Sequence, residues 1–161
     1  MKKSTIIILE IVYVVAFFLI GLLGQAVRAY DPVIYPEAIE LVEPNGIATV
    51  YKDYANPENP SEILFNYYFV VRPYEPDMTI TLKAQVVPVD TTYPTVNFLK
   101  DESDISFDMD TIENNPSVEL NYAIITPKQE PDPFLTARFT VASTNPGTQI
   151  KLIVGVTFVN I

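Results

Sequence analysis

The apolar run from Ile6 to Leu23 constrains this chain more than any other stretch. Across its 18 residues only Glu10 is charged. As a helix it reaches about 27 Å at 1.5 Å per residue, close to the ~30 Å hydrocarbon core of a bilayer. Its β-branched and aromatic residues suit a soluble helix poorly, but in lipid the backbone must bond to itself and so stays helical. Lys2 and Lys3 precede the run and Arg28 follows it. That bias sets the N-terminus in the cytoplasm and the remaining chain outside. The expected membrane contact runs through Ile6, Glu10, Phe17, Phe18 and Leu23.

Two fates are open for residues 1–29. One is an uncleaved signal anchor, giving a single-pass membrane protein with its C-terminal domain outside. The other is a signal peptide with Val27-Arg28-Ala29 as the small-residue cleavage site, releasing a secreted chain that starts at Tyr30. The length of the run and Arg28 beside the cut favour the anchor. Glu10 lies little more than one turn inside the run, near enough to reach cytoplasmic headgroups. A helix–helix contact is the alternative. A glutamate there is also similar to type IV pilins, although those are cut after Gly or Ala and here the residue is Thr5.

Past the anchor, residues 30–36 (YDPVIYP) read as a linker and residues 37–161 as one domain with a real core. Seven basic and nineteen acidic side chains in residues 30–161 leave a net charge of −12. No basic face for nucleic acid or for direct adhesion to anionic lipid is available at that balance. The chain has no Cys and no His, which removes disulfides, the usual transition-metal ligands, and Ser/His/Asp or Cys/His catalysis. Fourteen prolines and ten tyrosines favour strands with proline-marked turns over helices.

Strands are expected at 38–42, 47–51, 63–71, 78–87, 95–99, 105–109, 118–125, 134–142 and 150–161. Residues 63–71 are apolar on both sides and read as a central strand buried on both faces. Met78, Ile80, Leu82, Ala84 and Val86 alternate with polar residues in the clearest half-buried pattern. Asp53–Ser61, with two Asn-Pro steps, reads as a loop, and Asp110–Pro116 as a polar turn. Two packed antiparallel sheets accommodate about nine short strands, so the expected class is all-β.

The stretch Leu82-Lys83-Ala84-Gln85-Val86-Val87-Pro88-Val89-Asp90-Thr91-Thr92, then Val96-Asn97-Phe98, then Asp101 to Ile105, resembles the group 2 bacterial Ig-like domains. Gly147-Thr148 with Ile150, leading into a Val-rich strand, is similar to the family's closing pattern. Phe98 stands where the family usually has Trp. The resemblance implies an Ig-like antiparallel β-sandwich. It also implies a surface module of adhesins and cell-wall proteins, with a surface or cell-wall protein as partner.

Asp101, Glu102, Asp104, Asp108 and Asp110 form the best candidate site, since clustered hard oxygens can hold Ca²⁺. Their spacing is not that of an EF-hand, and a solvated acidic edge that discourages strand pairing is the plainer reading. No other cofactor is expected. Glycoside hydrolysis needs two carboxylates at about 5–9.5 Å, which any acidic domain offers, so no enzyme is expected. Tyr67, Tyr68 and Phe69 are expected in the core and its surface rather than in a ligand platform. The terminal stretch Ile153–Ile161 is expected to pair inside its own domain; donation to a neighbouring copy, as in strand-complemented filaments, is the alternative.

Overall fold

In the computed structural model the described residues are 12–20, 32–112, 121–147 and 149–161. The chain divides into two units, Met1–Val33 and Ile34–Ile161. In the first unit, residues 12–20 form a helix whose side chains are all exposed, Phe17 and Phe18 among them. Nine helical residues span about 14 Å, and among the described residues no helix is long and apolar enough to cross a membrane. The ends of the apolar run, with Ile6, Glu10 and Leu23, and the proposed cut at Val27–Ala29 lie outside the described residues.

The described part of the second unit is built of nine strands: β1 (Ala38–Val42), β2 (Ala48–Asn56), β3 (Asn59–Val71), β4 (Ile80–Val87), β5 (Val96–Lys100), β6 (Phe107–Ile112), β7 (Asn121–Pro127), β8 (Phe134–Ser143) and β9 (Lys151–Val159). They form a four-stranded sheet in the order β1-β4-β7-β6 and a five-stranded sheet in the order β2-β3-β9-β8-β5. The alternation in β4 does what its period requires: Ile80, Leu82, Ala84 and Val86 point inward while the residues between them are half-buried. Leu135, Ala137, Phe139 and Val141 do the same in β8. They meet Ile39, Leu41, Phe107, Ala123 and Ile125 of the first sheet and Phe69, Val71, Val154, Val156 and Phe158 of the second in one core. Each of these side chains larger than alanine contributes roughly 1.5–3 kcal/mol by leaving water.

The sheets are not wholly antiparallel as expected. β3 runs parallel to β9, with Tyr67 opposite Val154 and Val71 opposite Phe158, so the five-stranded sheet is mixed. The cause is the β2–β3 hairpin, which returns the chain along β9 in β9's own direction.

That hairpin also corrects the reading of Asp53–Ser61 as a loop. β2 continues to Asn56, Pro57 and Glu58 turn the chain, and β3 starts at Asn59. Asn56 holds the turn, its Oδ1 accepting from the Glu58 N–H at 3.0 Å and its Nδ2 donating to Glu62 at 2.9 Å. Residues 59–63 extend past the register with β9 as an exposed arm paired to β2.

β3 is central in its sheet but buried on one face, through Tyr67, Phe69 and Val71. The strand buried on both faces is β9, from Val154 to Val159. Ile105, the first residue of the strand expected at 105–109, is 80% exposed, because an Asp104–Ser106 turn comes before β6 begins. β6 then runs to Ile112, through the start of the segment read as a polar turn. In β7 the buried residues are Ala123 and Ile125, while Tyr122 and Ile124 are half-buried. Residues 118–120 of that expected strand lie outside the described residues.

The domain begins inside the segment read as a linker. Ile34 donates to Thr92 Oγ1 at 2.9 Å, and its carbonyl accepts from the Thr92 N–H and the Thr91 hydroxyl, each at 2.8 Å. Tyr35 stacks on Tyr93 with centroids 6.0 Å apart, and Pro36 is buried.

Candidate functional site

The outer face of the five-stranded sheet carries the most distinctive surface. It depends on a local irregularity. Lys52 faces Tyr67 and Tyr54 faces Phe65 across the hairpin, which leaves Asp53 opposite Asn66. Asp53 has φ of 49°, in the left-handed region where Asp is tolerated better than most residues. Asn66 turns its carbonyl oxygen to the Ile153 N–H at 2.8 Å. Side chains before and after this point would alternate faces in a regular strand. Here Tyr51 and Tyr54 share one, both lying against Tyr68, at 6.2 and 4.5 Å between centroids. Phe65 joins them, stacked on Tyr68 at 5.2 Å, with the Arg138 guanidinium 5.8 Å from its ring centre.

Beneath the rings lies Gly155. A Cβ there would stand 2.7 Å from the Phe65 ring, so only glycine lets the aromatic lie against the strand. Beside it runs a chain of hydroxyls: Thr136 and Thr157 are 2.7 Å apart, and Thr157 donates to the Tyr68 hydroxyl at 2.9 Å. With Thr157 donating to Tyr68, Thr136 donates to Thr157, and the Tyr68 proton stays available to an outside acceptor.

A hollow of about 510 Å³ opens on this face, lined by Tyr51, Tyr54, Tyr68, Phe134, Thr157 and Arg72 among others. Phe134 is 62% exposed and Tyr51 47% exposed. None of the described residues lining it is a carboxylate or an amine. Its chemistry is that of non-covalent contact: ring faces and edges, hydroxyls, and one guanidinium.

The acidic residues singled out from the sequence are spread over separate local structures. Asp101 Oδ1 accepts from the Ser103 hydroxyl at 2.7 Å and the Ser103 N–H at 2.9 Å, and these bonds hold its carboxyl below the ordinary value, the hydroxyl contributing most. Asp104 Oδ1 accepts in the same way from Ser106, at 2.5 Å from the hydroxyl and 2.9 Å from the N–H. Asp108 pairs with Lys128 at 2.8 Å. Glu102 and Asp110 are exposed. Among the described residues no three His, Cys, Asp or Glu side chains are grouped so as to hold a metal ion.

Tyr67, Tyr68 and Phe69 divide between two roles. Tyr67 and Phe69 are in the core, and Tyr68 is the centre of the outer aromatic group. Tyr51, Tyr54, Phe65 and Phe134 were not singled out by the sequence pattern. One signal was available: reading Pro57-Glu58 as a two-residue turn sets Tyr51 opposite Tyr68 and Tyr54 opposite Phe65. No protein-family model, no curated protein and no solved structure matches this chain.

Proposed function

We propose that this chain is a non-catalytic interaction module, an Ig-like sandwich held at the outer side of a membrane by its N-terminal apolar run. The observation that carries the interaction role is the exposed aromatic face: Tyr51, Tyr54, Tyr68 and Phe134 around an open hollow, on a sheet whose β3, β9 and β8 strands pack into the core on the other side. Exposed apolar surface gathered in one place marks a contact surface.

Support for the Ig-like reading comes from strand order. In that architecture one sheet runs A-B-E-D and the other contains C, F and G as neighbours. The order β1-β4-β7-β6 corresponds to A-B-E-D, and β9-β8-β5 to G-F-C. The apolar β4 residues that carry the resemblance to group 2 bacterial Ig-like domains fall in core positions. Leu82, Ala84 and Val86 are buried, and Phe98 packs with Phe139 at 6.4 Å between centroids. The β2–β3 hairpin is an addition to that plan, and it is the element that builds the aromatic face.

The filament reading, with the last strand given to a neighbour, has less support, because β9 is hydrogen-bonded on both sides within its own sheet. The deciding experiment is the intact mass of the protein from its native cells after membrane and medium are separated. The expected result is the full-length chain in the membrane fraction. A chain starting at Tyr30 in the medium would remove the anchor from this reading. A chain starting at Ile6 would replace the reading with the filament one.

A further inference from the structure

We propose that β2 is a self-pairing edge: two copies of this chain join antiparallel along β2, about a two-fold axis between Lys52 and Asp53, merging two five-stranded sheets into one. Four sheet edges are present among the described strands. β1 and β5 have five residues and β6 six, whereas β2 has nine. β6 carries Asp108 and Asp110 and would repel its own copy. β2 is bonded to β3 on one side and has no neighbour on the other among the described strands. Residues 49–53 are exposed, with Val50 at 42% and Tyr51 at 47%. A free edge of this length is a template for another strand.

A two-fold pairing demands that a strand complement itself read backwards. β2 does. With Lys52 facing Asp53 of the second copy, Tyr51 faces Tyr54, and the register shifts that β2 carries at Ala55 and Asn56 lie outside these central pairs. Charge meets opposite charge and aromatic meets aromatic. Shifting the register by one residue sets Lys52 against Lys52, or Asp53 against Asp53, so the charges select one alignment. In a domain with an excess of acidic groups, β2 is a stretch of surface with balanced charge.

The backbone makes the alignment workable. Facing residues must project from the same side of the joined sheet, yet Tyr51 and Tyr54 would lie on opposite sides of a regular strand. The left-handed Asp53 changes the phase, and both tyrosines lie against Tyr68 on the outer face. The irregularity that would guard an edge against arbitrary partners therefore fits this strand to its own copy. In the pair the aromatic faces of both copies become one surface.

The test uses full-length chains carrying two different affinity tags, co-expressed and solubilised from membranes in mild detergent. Wild-type copies should co-purify. Lys52→Asp alone and Asp53→Lys alone should each fall at least tenfold in co-purification, because like charges then face each other. Co-expressing Lys52→Asp with Asp53→Lys should restore it, since each restores the other's opposite charge. Equal co-purification in all samples, or loss without restoration, overturns the proposal. The chain has no cysteine, which allows an independent check. Under mild oxidation, Tyr51→Cys mixed with Tyr54→Cys should give a disulfide-linked pair, and Tyr51→Cys alone should not. The reverse pattern, or no cross-link in either sample, overturns the proposal whatever the charge variants do.

Discussion

Phe65 and Gly155 show how one position governs a surface. The ring occupies the space where any larger residue at position 155 would place its Cβ, and Tyr68 and Arg138 lie close to the same ring. Gly155→Val forces atoms into filled space, at a cost of about 1–3 kcal/mol. The expected outcome is a lower urea midpoint with an unchanged slope. Phe65→Ala opens that space. The double variant should therefore be more stable than the sum of the two single effects, a coupling that a double-mutant cycle measures directly. Additive effects would mean that the ring does not depend on the glycine. Nothing in the sequence announces this pair, because a lone glycine in a Val-rich strand gives no indication of which ring lies on it. Asp53 is equally silent: its left-handed backbone is a property of the hairpin, and the residue type only tolerates it.

Elements were legible where one face is buried along their whole length. β4 and β8 alternate cleanly because each crosses the core from end to end, and Ile80, Leu82, Ala84 and Val86 of the alternation expected over 78–87 are buried. Legibility failed where a strand outruns its partners. The far ends of β2 and β3 leave the core, so burial no longer imposes a period of two, and their prolines read as loop. β6 was recognised as a strand over 105–109 but runs Phe107–Ile112, since the far end of an edge strand, with Asp110 on it, looks like a polar turn. β9 was recognised as a strand, but its burial on both faces comes from side chains of the hairpin that no local window contains. The connection at Ile34 is another element-scale feature: three hydrogen bonds tie one residue to Thr91 and Thr92. Thr92→Val removes the acceptor of the Ile34 N–H, a loss of about 1 kcal/mol. Hydrogen exchange at the Ile34 amide should then quicken roughly fivefold while the β4 amides keep their protection. Equal acceleration in both would mean that the contact is part of global stability and not a local tie.

At the scale of the whole molecule, charge is the dominant long-range term. The chain carries −10 at pH 7 with a pI near 4.3, and Lys128–Asp108 is the ion pair found among the described residues. The carboxylates therefore repel one another more than they are paired, which destabilises the compact state. Salt screens that repulsion, with a Debye length of about 10 Å at 0.1 M and 3 Å at 1 M. Raising sodium chloride at pH 7 should raise the thermal midpoint by a few degrees, and the same salt near the pI should leave it almost unchanged. A fall in midpoint with salt at pH 7 would show instead that attractive pairs dominate.

The knot at Ile34 also measures the length of a leash. Ten residues, 24–33, separate the end of the apolar run from the first residue tied to the domain. Ten residues extend to at most ~35 Å, whatever path they take. If the proposed anchor holds copies in one bilayer, that length sets the greatest distance each domain can reach from it. Confinement of that kind raises the local concentration of a domain far above what the same number of free molecules would reach in solution. A contact too weak to persist between dissolved domains can then be populated between tethered ones, and shortening or lengthening the leash becomes a means of tuning it.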